Sequence, residues 1–172
     1  MRLPRMLAGV AVASVLLAAC GTGGGGGSAN KGTIRIGVDL PESGAETSNG
    51  IPTLNGVKFA VSQVKSVDGF TLEVDNLDDA VNGVHDPQKG AQNVQQFVDD
   101  TKVLGVIGPF NSSVARAEIP ITNRAHLVQI SPANTNQCLT KNVYIPQSLS
   151  GVPDVDCKAA GLPAPADLRP SS

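Results

Sequence analysis

Ser112 and Ser113, within Gly108-Pro109-Phe110-Asn111-Ser112-Ser113, are the residues of this chain best suited to holding a small anion. They stand where a helix is expected to begin, so unpaired backbone N–H groups, the positive end of the helix dipole and two hydroxyls converge. A carboxylate suits such a spot, although serine at a helix start is also an ordinary cap. The other chemistry-bearing residues are scattered. His85 and His126 are the only histidines, and neither stands in a metal-ligand spacing such as H-E-x-x-H. Nucleophile motifs of the G-x-S-x-G or C-x-x-C kind do not occur. Asp78-Asp79 could pass for a ribose-binding acid, but the first strand–helix turn lacks G-x-G-x-x-G. A turn or a solvated strand end is the plainer reading of that pair. Glu42 and Glu46 could act as acid and base, yet nothing in the pattern points to their burial. These residues give no catalytic motif, and no enzyme activity, metal or cofactor is expected from them.

The elements that would position Ser112 and Ser113 follow a regular order. Thr33–Asp39 is β-branched and bounded by turn residues, which predicts a buried strand. Gly50–Val67 carries Ile51, Leu54, Val57, Val61 and Val64 at helical spacing. Phe70–Leu77 alternates as a second strand, and Asp86-Pro87 is a cap followed by proline at the first helical position. Ala91, Val94 and Val98 mark the inner face of that helix. Val103–Gly108 is apolar throughout, as a strand covered on both faces should be. A helix then opens at Asn111-Ser112-Ser113, to be kinked or restarted by Pro120. Leu127–Ser131 is the fourth strand. Strand and helix in strict alternation predict a parallel sheet with helices on both sides. In such a sheet ligands sit beyond the carboxyl ends of the strands. That rule selects three loops, at Leu40–Gly50, Gly108–Ser113 and Ser131–Asn136.

Composition removes other classes. Four Phe, one Tyr and no Trp leave an aliphatic core, and the net charge of −2 comes with no basic run. Nucleic acid is therefore not an expected partner. Arg2 and Arg5 precede an apolar stretch, Met6–Ala19, which is too short for the ~20 residues of a bilayer-spanning helix. It suits the apolar core of a signal peptide. The stretch ends in Leu17-Ala18-Ala19-Cys20, which resembles the bacterial lipobox and implies lipid attachment at Cys20. Gly21–Gly32 then reads as a flexible tether. With Cys20 acylated, two of the three cysteines remain, Cys138 and Cys157. In an oxidising compartment they are expected to pair, the alternative being two buried thiols.

One resemblance gathers these pieces. The segments are Ile36-Gly37-Val38 with Pro41-x-Ser43-Gly44, Asn55-Gly56, Asp78-Asp79, Asp86-Pro87, Val106-Ile107-Gly108 with Ser112-Ser113, and Ile130-Ser131-Pro132-Ala133-x-Thr135-Asn136 with Leu139-Thr140. Taken in order, they make residues 33–141 resemble the amino-terminal lobe of type I periplasmic binding proteins serving branched-chain amino acid transporters. The resemblance implies an α/β fold, a three-layer doubly wound parallel sheet forming a single lobe, with an irregular C-terminal tail. It implies that the Ser112 hydroxyl and the Thr135 hydroxyl and amide hold a ligand α-carboxylate and that the Ala133 backbone faces the α-ammonium, with Ser113 beside Ser112 also expected at the ligand. Ser43 and Asn49 would wall the cleft, with Asn49-Gly50 standing where the family often has an aromatic residue. Asn134 and Gln137-Cys138 also depart from the commonest pattern.

The expected organisation is a lipoprotein signal peptide at 1–19, a lipidated Cys20 with its tether at 20–32, and the lobe at 33–141. A disulfide-pinned irregular segment and tail at 142–172 would follow, with the second lobe absent. The expected function is extracytoplasmic binding of amino acids, branched-chain or related, for ABC-type uptake. Its partners would be the ligand, permease subunits, and the membrane through a lipid anchor on the outer face of the cell membrane or in the periplasm. The alternatives are a ligand-sensing lipoprotein, a truncated lobe that does not bind, and a lobe assembling with a separately made second one.

Overall fold

The computed structural model describes residues 30–140, 144–145 and 155–157. Cys20, the apolar leader and the segment after Cys157 lie outside the described residues.

β1 (Gly32–Leu40) leads through a single 3-10 turn at Gly44–Glu46 into α1 (Thr47–Val64). β2 (Ser66–Val67) and β3 (Phe70–Asp78) come next, followed by the short pair β4 (Ala80–Val81) and β5 (Val84–His85). α2 (Pro87–Asp99), β6 (Val103–Ile107), α3 (Ser112–Arg124) and β7 (Val128–Ile130) complete the lobe. A 3-10 turn spans Gln137–Leu139, and β8 (Tyr144–Ile145) pairs with β9 (Val155–Asp156). Cys138 and Cys157 are disulfide-bonded, with Cα atoms 5.3 Å apart.

The main sheet has the order β2-β3-β1-β6-β7. β1 runs parallel to β3 and β6, and β6 parallel to β7. Alternation along β1 sorts the layers. Val38 and Leu40 pack with Leu54, Ile51 and Val57 of α1. Gly37 and Asp39 face the other way, towards α2, where the Phe97 ring lies against Gly37 and Asn93 against Asp39. On that side Val94 and Phe97 join Val103, Val106 and Leu77 in the second core cluster. The result is the three-layer α/β lobe that the alternation predicts. α1 covers only the β1–β3 part of its face. Leu104, Val128 and Ile130 remain 56%, 60% and 58% exposed.

Several boundaries differ from the sequence reading, each for a local reason. α1 starts at Thr47 rather than Gly50, because the 3-10 turn feeds directly into it and the Thr47 hydroxyl donates to the Gly44 carbonyl at 2.7 Å. It ends at Val64, where Lys65 adopts a positive φ of 56°. Val67, expected in the helix, pairs with Phe70 across Asp68-Gly69, both of positive φ. Asn82-Gly83 makes the same kind of turn between β4 and β5, the geometry that Asn-Gly and Asp-Gly favour in hairpins. α3 runs through Pro120 as one helix instead of restarting. Asp79, read as turn or solvated strand end, is fully buried.

Candidate functional site

The carboxyl ends of β1, β6 and β7 bring the three selected loops together. The first is fastened from β3 and the β4–β5 hairpin. The Glu42 N–H donates to Asp78 Oδ1 at 2.8 Å, and Asn76 Nδ2 donates to Glu42 Oε2 at 2.9 Å. His85 Nδ1 lies 2.7 Å from Glu46 Oε1, and the Ala45 N–H donates to the Gly83 carbonyl at 3.0 Å. Gly44 meets Gly83 so closely that a Cβ there would fall 2.0 Å from the Gly83 Cα. Burial lifts the Glu42 carboxyl above its ordinary range. Burial also acts upward on Asp78, but hydrogen bonds from the Ser43 side chain and the backbone of Ala80, Glu42 and Ser43 outweigh it and hold that carboxyl low.

The second loop leaves β6 at Gly108, whose φ of 133° carries it over the β1 backbone. A Cβ here would lie 2.1 Å from the Asp39 carbonyl oxygen, so no other residue fits without movement. The Gly108–Pro109 peptide is cis. The loop is held by three bonds from β7 and its end. The Gly108 N–H donates to the Ile130 carbonyl at 2.9 Å, Gln129 Nε2 to the Gly108 carbonyl at 3.2 Å, and Ser131 Oγ to the Pro109 carbonyl at 2.8 Å. Asn111 caps α3 by position only, since its side chain makes no capping bond.

The third loop folds over the first turn of α3. Ser131 Oγ accepts from the Asn134 N–H at 3.0 Å, and Asn136 N–H donates to Ser112 Oγ at 3.3 Å. A cavity of about 460 Å³ opens beside it, within the 300–1,000 Å³ usual for small-molecule sites. Ile119 and Leu127 supply apolar lining, while Ser131, Asn134, Thr135 and Asn136 supply polar lining.

Ser112 meets the third loop through Asn136, whereas of the expected site residues only Thr135 lines the cavity, and Ser112, Ser113, Ala133, Ser43 and Asn49 do not. Ser113 is exposed on the same helix end, and Ala133 is half-buried in the same loop as Thr135. Ser43 turns its hydroxyl to Asp78. Asn49, expected in a loop, belongs to the first turn of α1, and its backbone carbonyl accepts from the Thr53 hydroxyl.

Sequence reasoning missed a group of buried polar residues beneath these loops. Asp39, Asp79, Asn93 and Glu118 have no exposed surface. Asn93 Nδ2 donates to Asp39 Oδ1 at 2.6 Å and to the Asp78 carbonyl at 2.9 Å. Gln129 Nε2 donates to Glu118 Oε2, and the Thr122 hydroxyl to Gln129 Oε1 at 2.8 Å. One signal was available. Val114, Glu118 and Thr122 recur at steps of four, which puts Glu118 on the inner face of α3.

Comparison with known proteins bears on what such a lobe is for. A family model described as "Periplasmic binding protein" matches residues 33–161. The chain belongs to that family. The relatives it matches are type I proteins named for amino acids, branched-chain ones among them, and the family binds solutes rather than catalysing reactions. "Leu/Ile/Val-binding protein homolog 2" of Brucella abortus is 32% identical over 111 residues, covering 63% of this chain and 29% of its own length. "Amino acid binding protein" of Pseudomonas aeruginosa is 27% identical over the same shares. Among solved structures, LivJ of Streptococcus pneumoniae in complex with isoleucine is 28% identical with a TM-score of 0.55, covering 61% of this chain and 30% of LivJ. The substrate-binding protein of Sphaerobacter thermophilus is 28% identical at a TM-score of 0.58, with 64% and 29% covered. This periplasmic binding protein chain spans 29% of the length of the curated relatives it matches. Among the described residues, no helix is long and apolar enough to cross a membrane.

Proposed function

We propose that this lobe carries the carboxylate half of an amino-acid site, used by an extracytoplasmic substrate-binding lipoprotein in ABC-type uptake. The observation that carries the reading is the bond from the Asn136 N–H to the Ser112 hydroxyl, which seats the Ala133–Asn136 loop on the first turn of α3. Ser112, Ser113 and Thr135 then surround a helix start whose Asn111 side chain does not cap it. That leaves backbone donors for an anion. The Ala133 backbone takes the ammonium side, and Ser43 and Asn49 form the opposite wall. Branched-chain or related amino acids are the ligand class, supported by the names of the relatives.

Lipid attachment at Cys20 and permease subunits as partners complete the reading. The bare strip of Leu104, Val128 and Ile130 favours a lobe that works with further polypeptide against it. A few charge-assisted hydrogen bonds at about 1.5–3 kcal/mol each, less association costs, leave millimolar affinity for the lobe alone. A thermal-shift titration with each amino acid up to several millimolar tests this. A dose-dependent rise for aliphatic amino acids, lost in Ser112→Ala and Thr135→Ala, supports the site. A melt that no amino acid moves refutes binding by this chain and leaves the non-binding truncated lobe.

A further inference from the structure

The buried carboxyls of Asp39 and Glu118 meet under the loop that presents Ser112 and Ser113. Each has one oxygen taken by an amide: Asp39 Oδ1 by Asn93 and Glu118 Oε2 by Gln129. The remaining oxygens, Asp39 Oδ2 and Glu118 Oε1, are buried and receive no donor from the rest of the lobe. Both point at the same spot. A Cβ placed on Gly90 would lie 2.7 Å from Glu118 Oε1 and 3.3 Å from Asp39 Oδ2. The charged groups facing them are further carboxylates: Asp78 and Asp79 at the end of β3, and Glu42 from the first loop. Among the described residues, no three His, Cys, Asp or Glu side chains are arranged to hold a metal ion.

We propose that Asp39 and Glu118 share one proton, and that this carboxyl pair is the positioning device for the Ser112–Ser113 loop. Two facing carboxylate oxygens with no other donor repel one another unless a hydrogen lies between them. With the proton on Glu118, its O–H donates to Asp39 Oδ2 and all four oxygens are satisfied. The pair then ties α3 to β1. Gln129 carries the tie onward, donating to Glu118 Oε2 and to the Gly108 carbonyl that starts the loop. Burial and the Asp39 partner push Glu118 up to about 11, and burial pushes Asp39 to about 6, so one proton stays with the pair across the neutral range. The role in ligand placement rests on the proposed site; the shared proton does not.

Infrared spectroscopy of the full chain at neutral pH tests the proton directly. Because buried Asp79, pushed up to about 8, also keeps a proton at neutral pH, the band is read in Asp79→Asn. The expected result is a protonated carboxyl C=O band in the folded variant, lost when Glu118→Gln is added, and its absence from Asp79→Asn overturns the proposal. Amide hydrogen exchange tests the positioning. Glu118→Gln keeps a donor towards Asp39 and should leave the Gly108 and Asn136 amides protected as in the wild type. Glu118→Ala should raise their exchange by about tenfold or more, and wild-type protection there would overturn the positioning role. If Glu118→Ala does not fold, the band and the Glu118→Gln exchange decide; unprotected amides in folded Glu118→Gln would count against it. If amino acids leave the wild-type melt unmoved, the site reading fails while the band and the exchange still decide this one.

Discussion

Raising the pH from about 5.5 to about 7.5 should destabilise this lobe, because Asp79 must give up a proton in an unfavourable place. Both Asp79 oxygens are buried without a partner. Burial, then the nearby charges of Asp39, Asp78, Glu46 and Glu42, push its carboxyl up to about 8. In the unfolded chain an aspartate titrates near ~3.9. The folded state therefore holds a proton that the unfolded state has already released, and the unfolded state gains on it as pH rises. The stabilisation is complete below about pH 4, declines through the neutral range and is gone above about pH 8. One proton's difference is about 1.4 kcal/mol per pH unit, so two units cost roughly 2–3 kcal/mol. Asp39, raised to about 6, adds loss of the same sign at the acidic end of this range, and Glu118, pushed up to about 11, adds a second loss of about the same size as that of Asp79 across all of it. For a domain of this size the Asp79 share alone corresponds to a melting temperature lower by on the order of 10 °C. The assay is a set of circular dichroism melts at constant ionic strength, with the wild type beside Asp79→Asn. The variant should make the fall shallower, with the Glu118 share remaining, and melt above the wild type at the alkaline end. A wild-type melting temperature that holds or rises across the range, or an Asp79→Asn profile that falls in parallel, would refute the reasoning.

Two further outcomes follow from the packing. Gly90→Ala puts a Cβ 2.2 Å from Val114 Cγ1 and 2.7 Å from Glu118 Oε1, forcing α2 and α3 apart. The expected cost is about 1–3 kcal/mol despite alanine's better helix propensity, read as a lower denaturant midpoint, and an unchanged or raised midpoint would contradict it. Reducing Cys138–Cys157, which spans 19 residues, removes a constraint worth about 3 kcal/mol in the chain-entropy picture. Exchange at the Cys138 and Thr140 amides should rise while Val38 in β1 stays protected; a Cys138 amide indifferent to reductant would show that the cross-link does not hold the cavity wall.

What the sequence determined by itself is the order of elements and the layer they form. Val38 and Leu40 alternate with Gly37 and Asp39, a local periodicity that survives folding unchanged. On α2, where the spacing predicts Ala91, Val94 and Val98 inside, the buried face is Gly90, Asn93, Val94 and Phe97, turned towards β1 and α3. The Asp86-Pro87 start is equally local, since the Asp86 side chain accepts from its own helix at Lys89. The two hairpins were also written locally, in Asp68-Gly69 and Asn82-Gly83, but the neighbouring helical spacing masked the first. The seating of the Ala133–Asn136 loop on Ser112 needed tertiary structure, because the hydrogen bond joins residues 24 apart in sequence. So did the buried acids. Asp39, Asp79 and Glu118 look like surface residues in a one-dimensional reading, because carboxylates are rarely buried without partners. Only the convergence of β1, β3, α2 and α3 brings them together. There the amides of Asn93 and Gln129 satisfy two of their oxygens, and the dry interior makes keeping a proton cheaper than keeping the charge.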